Sequence, residues 1–476
     1  MKLASYPLAI VVFFLYGCAE INSKEENKTM SELVDRINLL AEKASVLKDR
    51  NLFITLDIEN ALVQAKTLDA SVEPKGLLHG VPVVVKDNIH VAGMPNTAGT
   101  PGLLGFVPEE DNGAIACLRA AGAVFVGKTN MHELAAGITS NNAHFGAVGN
   151  AYEPGFIAGG SSGGTASAIA SGLVDMGLGT DTGGSVRIPA ALNGIVGFRP
   201  STGRYASAGV TPLSQTRDVI GPLAKDLKSI VLLDELMTCH SGNDESSLES
   251  LKPKNIRLGV PRAYFYENLD PETRVLMEQA LAVLSDAGIT LVEADIENVG
   301  TLLEKTTFPI VLFEAKRDLI RYLNTYIPQV SFAELVESIA SPDVKGLFTS
   351  LLDAGIPEAD YMDAMKVREE FRVVYANYFS EHQLDAVVFP TTPLPARPII
   401  GSDKTVRLNG EDVATFNAYI RNTEMATIVA APALSLPIGF TPGHLPVGLE
   451  IDGLENQDRA LLQIGSVLEK LLSPSQ

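Results

Sequence analysis

Hydrophobic and polar positions follow a helical period at the start of the folded region and a strand pattern soon after it. Behind Ser31, apolar residues recur every three or four positions, at 33, 37, 40, 44 and 47, and predict an amphipathic helix. The segment HGVPVVVKDNI, residues 79–89, contains an unbroken valine run that predicts a strand buried on both faces. A helix over 112–121 and a strand over 122–127 are predicted next.

The alternation continues and predicts the fold class. The segment TASAIASG predicts a helix, LVDMGLGT, IRLGVP and ITLVEAD predict strands, and residues 272–288 predict another helix. Residues 301–380 are mostly helical in pattern, DAVVFPTTP and PALSLPIG return to strands, and 459–472 form a closing amphipathic helix. Strands that alternate with helices are typical of an α/β fold, a sheet covered by helices.

Composition and charge exclude several classes of protein. The chain has 476 residues, of which 46% are hydrophobic and 20% charged, as in globular proteins. Its formal net charge of −20 argues against a nucleic-acid partner, because that affinity rests on Lys and Arg replacing counterions. It also argues against electrostatic docking on anionic lipid.

The N-terminus resembles a bacterial lipoprotein signal. Lys2 precedes an apolar run that ends in LYGC, with Cys18 as the last residue of the motif. Residues 1–17 are then a signal peptide, Cys18 is lipidated, and 18–30 form a polar tether before a domain over 31–476.

An uncleaved membrane anchor is the alternative interpretation of the same segment. Only one basic residue precedes the apolar run, and Tyr16 stands where a smaller residue is usual. Under both interpretations we expect an exported, membrane-tethered protein on the periplasmic or cell-surface side.

The remaining cysteines, Cys117 and Cys239, do not predict a metal site. They lack CxxC spacing and a neighbouring pair of histidines. Cys117 lies in the apolar helical segment GAIACLRAAGA, which predicts a buried thiol.

The candidate chemistry lies in two glycine-rich segments and one lysine. The block AGGSSGGTAS contains Ser161, and GLGTDTGGSVRIPA contains Ser185, 24 residues later. Lys86 stands near the end of the valine strand. A phosphate loop is disfavoured because no lysine follows the glycines of 159–165.

A nucleophile elbow of the form G-x-S-x-G is also present in the first block. That mechanism needs a downstream histidine, for which the candidates are His240, His382 and His444. None of them stands in a sequence context typical of a catalytic histidine.

Lys86, the GGSSGGTASAIASG block and the GTDTGGSVRIPA block together resemble the amidase signature family, over roughly residues 31–472. The family hydrolyses carboxamides with a Ser-Ser-Lys triad. The resemblance implies that Ser185 is the nucleophile, that Ser161 bridges after a cis Gly160–Ser161 peptide, and that Lys86 is the base.

The resemblance also implies the architecture: a single large domain with a central mixed, twisted β-sheet covered by α-helices. The signature core would span about 79–205, and a variable substrate-pocket region about 301–427. No cofactor and no metal are implied.

The proposed base needs a special environment, because a lysine accepts a proton only when it is neutral. Lowering its pKa from about 10.4 to near 7 or 8 requires burial, which Val83, Val84 and Val85 could supply. Asp87 is expected not to contact the Lys86 amine, because neighbouring residues of a strand point to opposite faces.

The second block offers backbone donors for a developing oxyanion. The N–H groups of Thr182, Gly183, Gly184 and Ser185 are predicted to form this nest.

The resemblance assigns a supporting role to four residues: Gly160, Ser162, Asp181 and Arg187. For Arg187, a surface salt bridge is the alternative.

The resemblance also implies substrate contact for Ser161 and for Ala135 in the segment NMHELAAG, where a buried helical residue is the alternative for Ala135. His132 and Glu133 beside it lack the second histidine of a zinc motif.

The sequence therefore predicts an amidohydrolase that converts a small-molecule carboxamide to an acid plus ammonia or an amine. Aryl-acetamide-type and short aliphatic amides both remain open as substrates, as do a monomer and a homodimer. Two alternatives stay in view: a glutaminase-type subunit of a tRNA-dependent amidotransferase, which the export signal disfavours, and a catalytically silent amide- or peptide-binding relative.

Overall fold

The computed structural model describes residues 32–71, 73–239 and 251–472. The strands within these ranges are β1 (Phe53–Leu56), β2 (Pro82–Lys86), β3 (Val124–Thr129), β4 (Asn141–Asn142), β5 (Gly146–Ala147), β6 (Met176–Asp181), β7 (Val196–Arg199), β8 (Val219–Ala224), β9 (Arg257–Gly259), β10 (Thr290–Val292), β11 (Ala386–Pro390), β12 (Thr405–Leu408), β13 (Glu411–Ala414), β14 (Ala433–Phe440) and β15 (Pro446–Asp452).

The α-helices of the same ranges alternate with these strands. They are α1 (Glu32–Val46), α2 (Ile58–Asp69), α3 (Gly113–Ala120), α4 (Gly163–Ala170), α5 (Arg187–Asn193), α6 (Leu227–Met237), α7 (Pro271–Asp286), α8 (Val299–Tyr326), α9 (Phe332–Ser338), α10 (Pro342–Asp353), α11 (Glu358–His382), α12 (Thr415–Ile420), α13 (Glu424–Ile428) and α14 (Asp458–Leu472).

One sheet of eleven strands forms the centre of the molecule, in the order β1-β3-β2-β6-β8-β7-β14-β15-β11-β9-β10. β2 pairs in parallel with β3 and β6, whereas β8, β7, β14 and β15 pair antiparallel in succession. The sheet is therefore mixed, and the predicted fold class, a single α/β domain, is confirmed.

The valine run of β2 shows why helices cover both faces of the sheet. Val83 and Val85 pack in the cluster that contains residues of α6, α7 and α14, and Val84 packs with residues of α1 and α2. Successive side chains of a strand point to opposite faces, so an apolar run needs apolar cover on each side.

Four strands of the large sheet, β1, β7, β8 and β15, were not predicted. β1 and β7 have only four residues each, and β7 and β8 contain glycine or proline, which weakens a strand pattern. In β15 every residue is buried, including Glu450 and Asp452. These two carboxylates interrupt the apolar pattern of β15. Their burial becomes understandable only from the contacts that they make in the tertiary structure.

The prediction of a free buried thiol at Cys117 was wrong. Cys117 in α3 and Cys239, just after α6, form a disulfide with their Cα atoms 5.6 Å apart. Helices α3 and α6 pack side by side, which brings together cysteines separated by 122 residues. No local sequence pattern carries that proximity.

Residues 1–31, including the predicted signal and Cys18, lie outside the described part of the chain. Among the helices of the described ranges, none has the length and apolar character that crossing a bilayer requires.

Candidate active site

The parallel pairing of β2 with β6 brings Lys86 to its acceptors. Val85 stands opposite Leu178 in this register, so Lys86 lies beside the end of β6. Its Nζ lies 2.7 Å from Ser161 Oγ and 2.8 Å from Thr180 Oγ1. The amine is fully buried, and these two hydroxyls surround it without forming an ion pair.

Burial lowers the pKa of Lys86 to about 7, and the negative charges of Asp181 and Asp218 oppose this effect. A lysine with this pKa is about half neutral at neutral pH. The buried environment predicted for Lys86 is therefore present.

Asp87 makes no contact with the Lys86 amine, as predicted, and lies beside a different lysine. Its Oδ2 accepts a hydrogen bond from the N–H of Thr97 at 2.9 Å, and its Oδ1 lies 3.6 Å from Lys128 Nζ. The carboxylate thus leaves the charge of Lys86 without a direct counterion.

The Gly160–Ser161 peptide is cis, as the resemblance implied. Gly159 precedes it at φ +73°, where a Cβ atom would lie 2.8 Å from the Cα atom of Pro189. Glycine is thus required at 159 both by backbone conformation and by close packing. Ser162 supports the segment, because its Oγ donates to the carbonyl of Thr180 at 3.2 Å.

The two serine segments contact each other through the backbone. The N–H of Ser162 donates to the carbonyl of Ser185 at 3.2 Å. Within the described ranges the Ser185 hydroxyl makes no hydrogen bond, and Ser185 lines a cavity. Hydrogen bonds between catalytic groups are often long or open without substrate, so the open Ser185 hydroxyl is compatible with a relay through Ser161.

Side chains from other segments donate hydrogen bonds to the backbone carbonyl groups of the turn that carries Ser185. Arg199 Nη1 donates to the carbonyl of Asp181 at 2.7 Å, and Arg217 Nε donates to that of Thr182 at 3.1 Å. Thr423 Oγ1 donates to the carbonyl of Gly183 at 2.6 Å. These donors were not predicted, and they fix the turn.

One of the four predicted oxyanion donors is already used. The N–H of Gly184 donates to Asp181 Oδ1 at 2.9 Å, which removes Gly184 from the predicted set. Within the described ranges, the N–H groups of Thr182, Gly183 and Ser185 have no acceptor. Glycine is instead required at 184, because its φ is +132° and a Cβ atom there would lie 2.1 Å from Thr423 Oγ1.

Arg187 forms the centre of a buried charge cluster. Its Nε lies 3.0 Å from Asp181 Oδ2, and its Nη1 contacts Glu450. All three side chains are fully buried, which excludes the surface salt bridge considered for Arg187. The two arginines near Asp181, Arg187 and Arg199, hold the pKa of its carboxyl well below the usual range, although burial acts in the opposite direction.

We expect Arg187→Met to lower the free energy of unfolding by about 3 to 5 kcal/mol, because it leaves the buried Glu450 carboxylate without its counterion. Urea unfolding at pH 7 measures the change. The matched control is Arg407→Met, which removes a pair with Asp412 in which both side chains are more than 60% exposed, and should cost under about 1 kcal/mol. Equal effects of the two substitutions would contradict this account.

The cavity beside Ser185 is mostly apolar. Thr182, Gly183 and Ser185 form one part of its wall. The apolar part includes Ile138, Leu213, Phe308, Leu312, Phe416 and Ile420. A larger cavity of about 380 Å³ near Tyr205 and Tyr322 contains none of the predicted site residues, so the smaller cavity is the candidate substrate site.

Ala135 lines the same cavity, at the end of a short 3₁₀ helix with φ +57°. The Glu133 carboxylate accepts the backbone N–H of Ser341 at 2.7 Å, and His132 Nε2 lies 3.0 Å from Asp343 Oδ2. Both side chains anchor the Ala135 segment to the start of α10. The described residues contain no group of three or more metal-ligating side chains.

Of the histidines considered for a Ser-His-Asp site, His382 and His444 make no hydrogen bond to Ser161 or Ser185 within the described ranges. His382 ends α11, and His444 is exposed between β14 and β15. His240 lies outside the described residues.

Five site residues were missed: Thr180, Arg199, Arg217, Asp218 and Thr423. Thr180 stands in the quoted signature block, so its hydroxyl could have been noticed there. The others come from β7, from the loop before β8 and from the start of α13, and no local pattern links them to the serines.

The sequence as a whole matches the family described as Amidase over residues 35–462. This chain belongs to the amidase family. The amidase is similar to the indoleacetamide hydrolase of Agrobacterium vitis, with 40% identity over 444 residues, 93% of each chain. It is also 40% identical to the mandelamide hydrolase of Pseudomonas putida, over 89% of this chain and 85% of that protein.

A solved structure has the same architecture. The peptide amidase of Stenotrophomonas maltophilia matches this amidase with a TM-score of 0.79 and 27% identity, over 93% of this chain and 94% of the other. The protein is thus an enzyme that hydrolyses amide bonds.

Proposed function

We propose that this amidase converts a carboxamide to a carboxylic acid and ammonia or an amine through an acyl-enzyme on Ser185. One observation carries the proposal: the fully buried Lys86 Nζ lies 2.7 Å from Ser161 Oγ. An amine in that position can take a proton from a hydroxyl, and serine becomes a competent nucleophile only when a base does so.

In the first half-reaction, Ser185 Oγ attacks the carbonyl carbon while its proton passes to Ser161 Oγ and the Ser161 proton passes to Lys86. The N–H groups of Thr182, Gly183 and Ser185 stabilise the negative charge on the substrate oxygen. The carbon–nitrogen bond then breaks. The leaving nitrogen takes a proton from Ser161, and Lys86 returns one to Ser161, which leaves an ester on Ser185.

In the second half-reaction, water takes the place of the serine. Its proton passes through Ser161 to Lys86, its oxygen attacks the ester carbon, and the bond to Ser185 Oγ breaks. The Ser185 oxygen regains a proton from Ser161, Lys86 returns its proton to Ser161, and the carboxylic acid leaves. A hydroxyl serves this relay because it is both a donor and an acceptor.

We further propose that the substrate is an aryl-acetamide, so that the acyl group transferred to Ser185 is an arylacetyl group. Two relatives are named for amides of aryl-substituted acetic acids, and the cavity places the aromatic rings of Phe308 and Phe416 beside other apolar side chains. Apolar walls with few polar groups favour a ring over a charged chain. Short aliphatic amides would leave much of this wall uncovered.

The glutaminase alternative has less support in the cavity. Glutamine carries a carboxylate and an ammonium group, and Arg217 is the lining residue that would pair with the carboxylate. Its guanidinium is already engaged with Thr182, Thr307 and Thr427. The silent-relative alternative is weakened by the presence of Lys86 and both serines.

The test combines ammonia release from a panel of primary amides with mass spectrometry after treatment with a fluorophosphonate. The panel contains aryl-acetamides, short aliphatic amides and glutamine. We expect hydrolysis of aryl-acetamides and a single phosphonyl adduct on Ser185. Folded protein that gives neither ammonia nor an adduct between pH 6 and pH 10 would refute the mechanism.

We also propose that the enzyme is exported and tethered through Cys18, as the N-terminal pattern predicts. The Cys117–Cys239 disulfide supports export, because structural disulfides persist mainly in oxidising compartments. It closes a loop that contains Ser161 and Ser185, so the cross-link would stabilise the catalytic core.

Expression of the full chain in a bacterium tests this proposal. We expect a mature N-terminus at a lipid-modified Cys18 and a disulfide-linked peptide pair at Cys117 and Cys239 when the cells are lysed in an alkylating reagent. Cys18→Ala is the matched control and should accumulate as the unprocessed precursor. An intact Met1 with both other cysteines alkylated would contradict export.

A further inference from the structure

The proposed mechanism leaves one buried carboxyl group of the cavity wall unused. Glu424 begins α13 and lines the cavity together with Ser185. Its side chain is nine-tenths buried, with 10% exposed. Within 32–71, 73–239 and 251–472 its buried Oε1 accepts no hydrogen bond, and the nearby Thr307 hydroxyl, which acts to lower the pKa of this carboxyl group, lacks a partner as well.

Arg217 is the neighbour that could have satisfied this carboxyl group. Its Nη2 lies 3.7 Å from Glu424 Oε1, which is beyond hydrogen-bond distance. Nε, Nη1 and Nη2 of Arg217 donate to Thr182 O at 3.1 Å, Thr307 O at 3.1 Å and Thr427 Oγ1 at 3.0 Å. Arg217 is therefore held in place by other acceptors and supplies charge to Glu424 without a hydrogen bond.

A buried acceptor without a hydrogen bond lowers the stability of the protein, and a cavity wall that only packs against an apolar ligand does not need one. Burial raises the pKa of Glu424 to about 7, and the nearby Arg217 charge opposes this effect. A buried polar group that lacks a partner costs about 1 to 3 kcal/mol. Among the other lining residues, Leu213, Phe308 and Ile420 have no donor, and Thr307 carries a hydroxyl that makes no hydrogen bond to Glu424 Oε1.

We propose that Glu424 accepts a hydrogen bond from an N–H or O–H group on the acyl part of the substrate. The preferred substrates are then aryl-acetamides that carry such a donor, either in the ring or on the carbon beside the carboxamide. This inference rests on the proposed aryl-acetamide function. Glu424 acts in specificity and takes no part in the proton relay.

Two matched substrate pairs test the proposal. Indole-3-acetamide and benzothiophene-3-acetamide have nearly the same shape, but only the first has a ring N–H. Mandelamide and phenylacetamide differ by one hydroxyl. The measurement is kcat/KM for each of the four amides with the wild type, with Glu424→Met, which removes the acceptor, and with Glu424→Gln, which keeps one.

We expect the wild type to prefer the donor-bearing member of at least one pair by about 10- to 100-fold. Glu424→Met should remove that preference by slowing the donor-bearing amide while the partner amide changes by less than about threefold. Glu424→Gln should retain part of the preference, and this variant carries the test if the methionine variant does not fold.

Three results would overturn the inference. The first is a donor preference that is the same in the wild type and in Glu424→Met. The second is an equal loss on both members of each pair, which would place Glu424 at the carboxamide itself. The third is a wild type that hydrolyses none of the four amides. In that case a Ser185 adduct with the fluorophosphonate would show that the amidase mechanism stands and the acyl class is wrong, whereas no adduct would refute both.

Discussion

Replacement of Ser185 by alanine is expected to lower kcat for amide hydrolysis by at least about 10,000-fold and to abolish the fluorophosphonate adduct. Without the Ser185 oxygen no acyl-enzyme forms, and only binding and the oxyanion donors still favour attack by water. The measurement is ammonia release under saturating amide, with intact-protein mass spectrometry of the probe-treated enzyme.

The control for this substitution is Ser350→Ala, which removes an exposed hydroxyl of α10 that donates to the carbonyl of Leu347. Activity and labelling should be unchanged in that variant. A Ser185→Ala enzyme that keeps more than about 1% of the wild-type kcat would exclude Ser185 as the nucleophile.

The second large effect is expected for Lys86→Met, which should lower kcat/KM by about 100- to 10,000-fold, the usual contribution of a general base. Lys86 accepts a proton only when it is neutral, and its pKa is about 7. Wild-type kcat/KM should therefore rise about tenfold per pH unit below pH 7 and level off above it. Lys86→Met should lose this rise, because the titrating group is absent.

The matched control is Lys225→Met, which removes a half-exposed lysine paired with Asp175. It should keep both the rate and the pH profile. Circular dichroism checks that Lys86→Met is folded, since Ser161 and Thr180 lose a hydrogen-bond donor. A rise through pH 7 that persists in Lys86→Met would assign the titration to another group and refute Lys86 as the base.

The pH dependence of activity and the stability of the fold rest on different buried charges. Lys86 lacks a direct counterion, and its proposed role as a base depends on that. Arg187 is enclosed by carboxylates, and its pKa is raised by Asp181 and Glu450 in spite of burial. The site therefore holds one cation that titrates near neutral pH and, two residues from the proposed nucleophile Ser185, one that stays charged.

Much of the site could be predicted because it is local in sequence. The valine run of β2 dictates a strand buried on both faces, and Lys86 at its end is consequently buried as well. The glycines around Ser161 and Ser185 mark the positions where the backbone takes positive φ or approaches another segment. These properties depend on neighbouring residues, so they can be recognised in a single sequence.

The remaining features depend on contacts between distant segments. The Gly184 N–H was predicted to be an oxyanion donor, but Asp181 Oδ1 accepts it. Thr423 holds the same turn from 240 residues away. Hydrogen-bond partners of this kind follow from the packing of β6 against β8 and of α13 against the serine turn, and no periodicity encodes them.

The sequence alone determined the α/β class, the buried base and the two serine turns, because burial of an apolar strand and the steric freedom of glycine are local properties. Only the tertiary structure decided that Cys117 pairs with Cys239, which backbone N–H groups near Ser185 stay free, and that Glu424 lines the cavity with no hydrogen bond to its Oε1. Each of these depends on distances between segments far apart in the chain, and such distances are set when the sheet and its helices pack together.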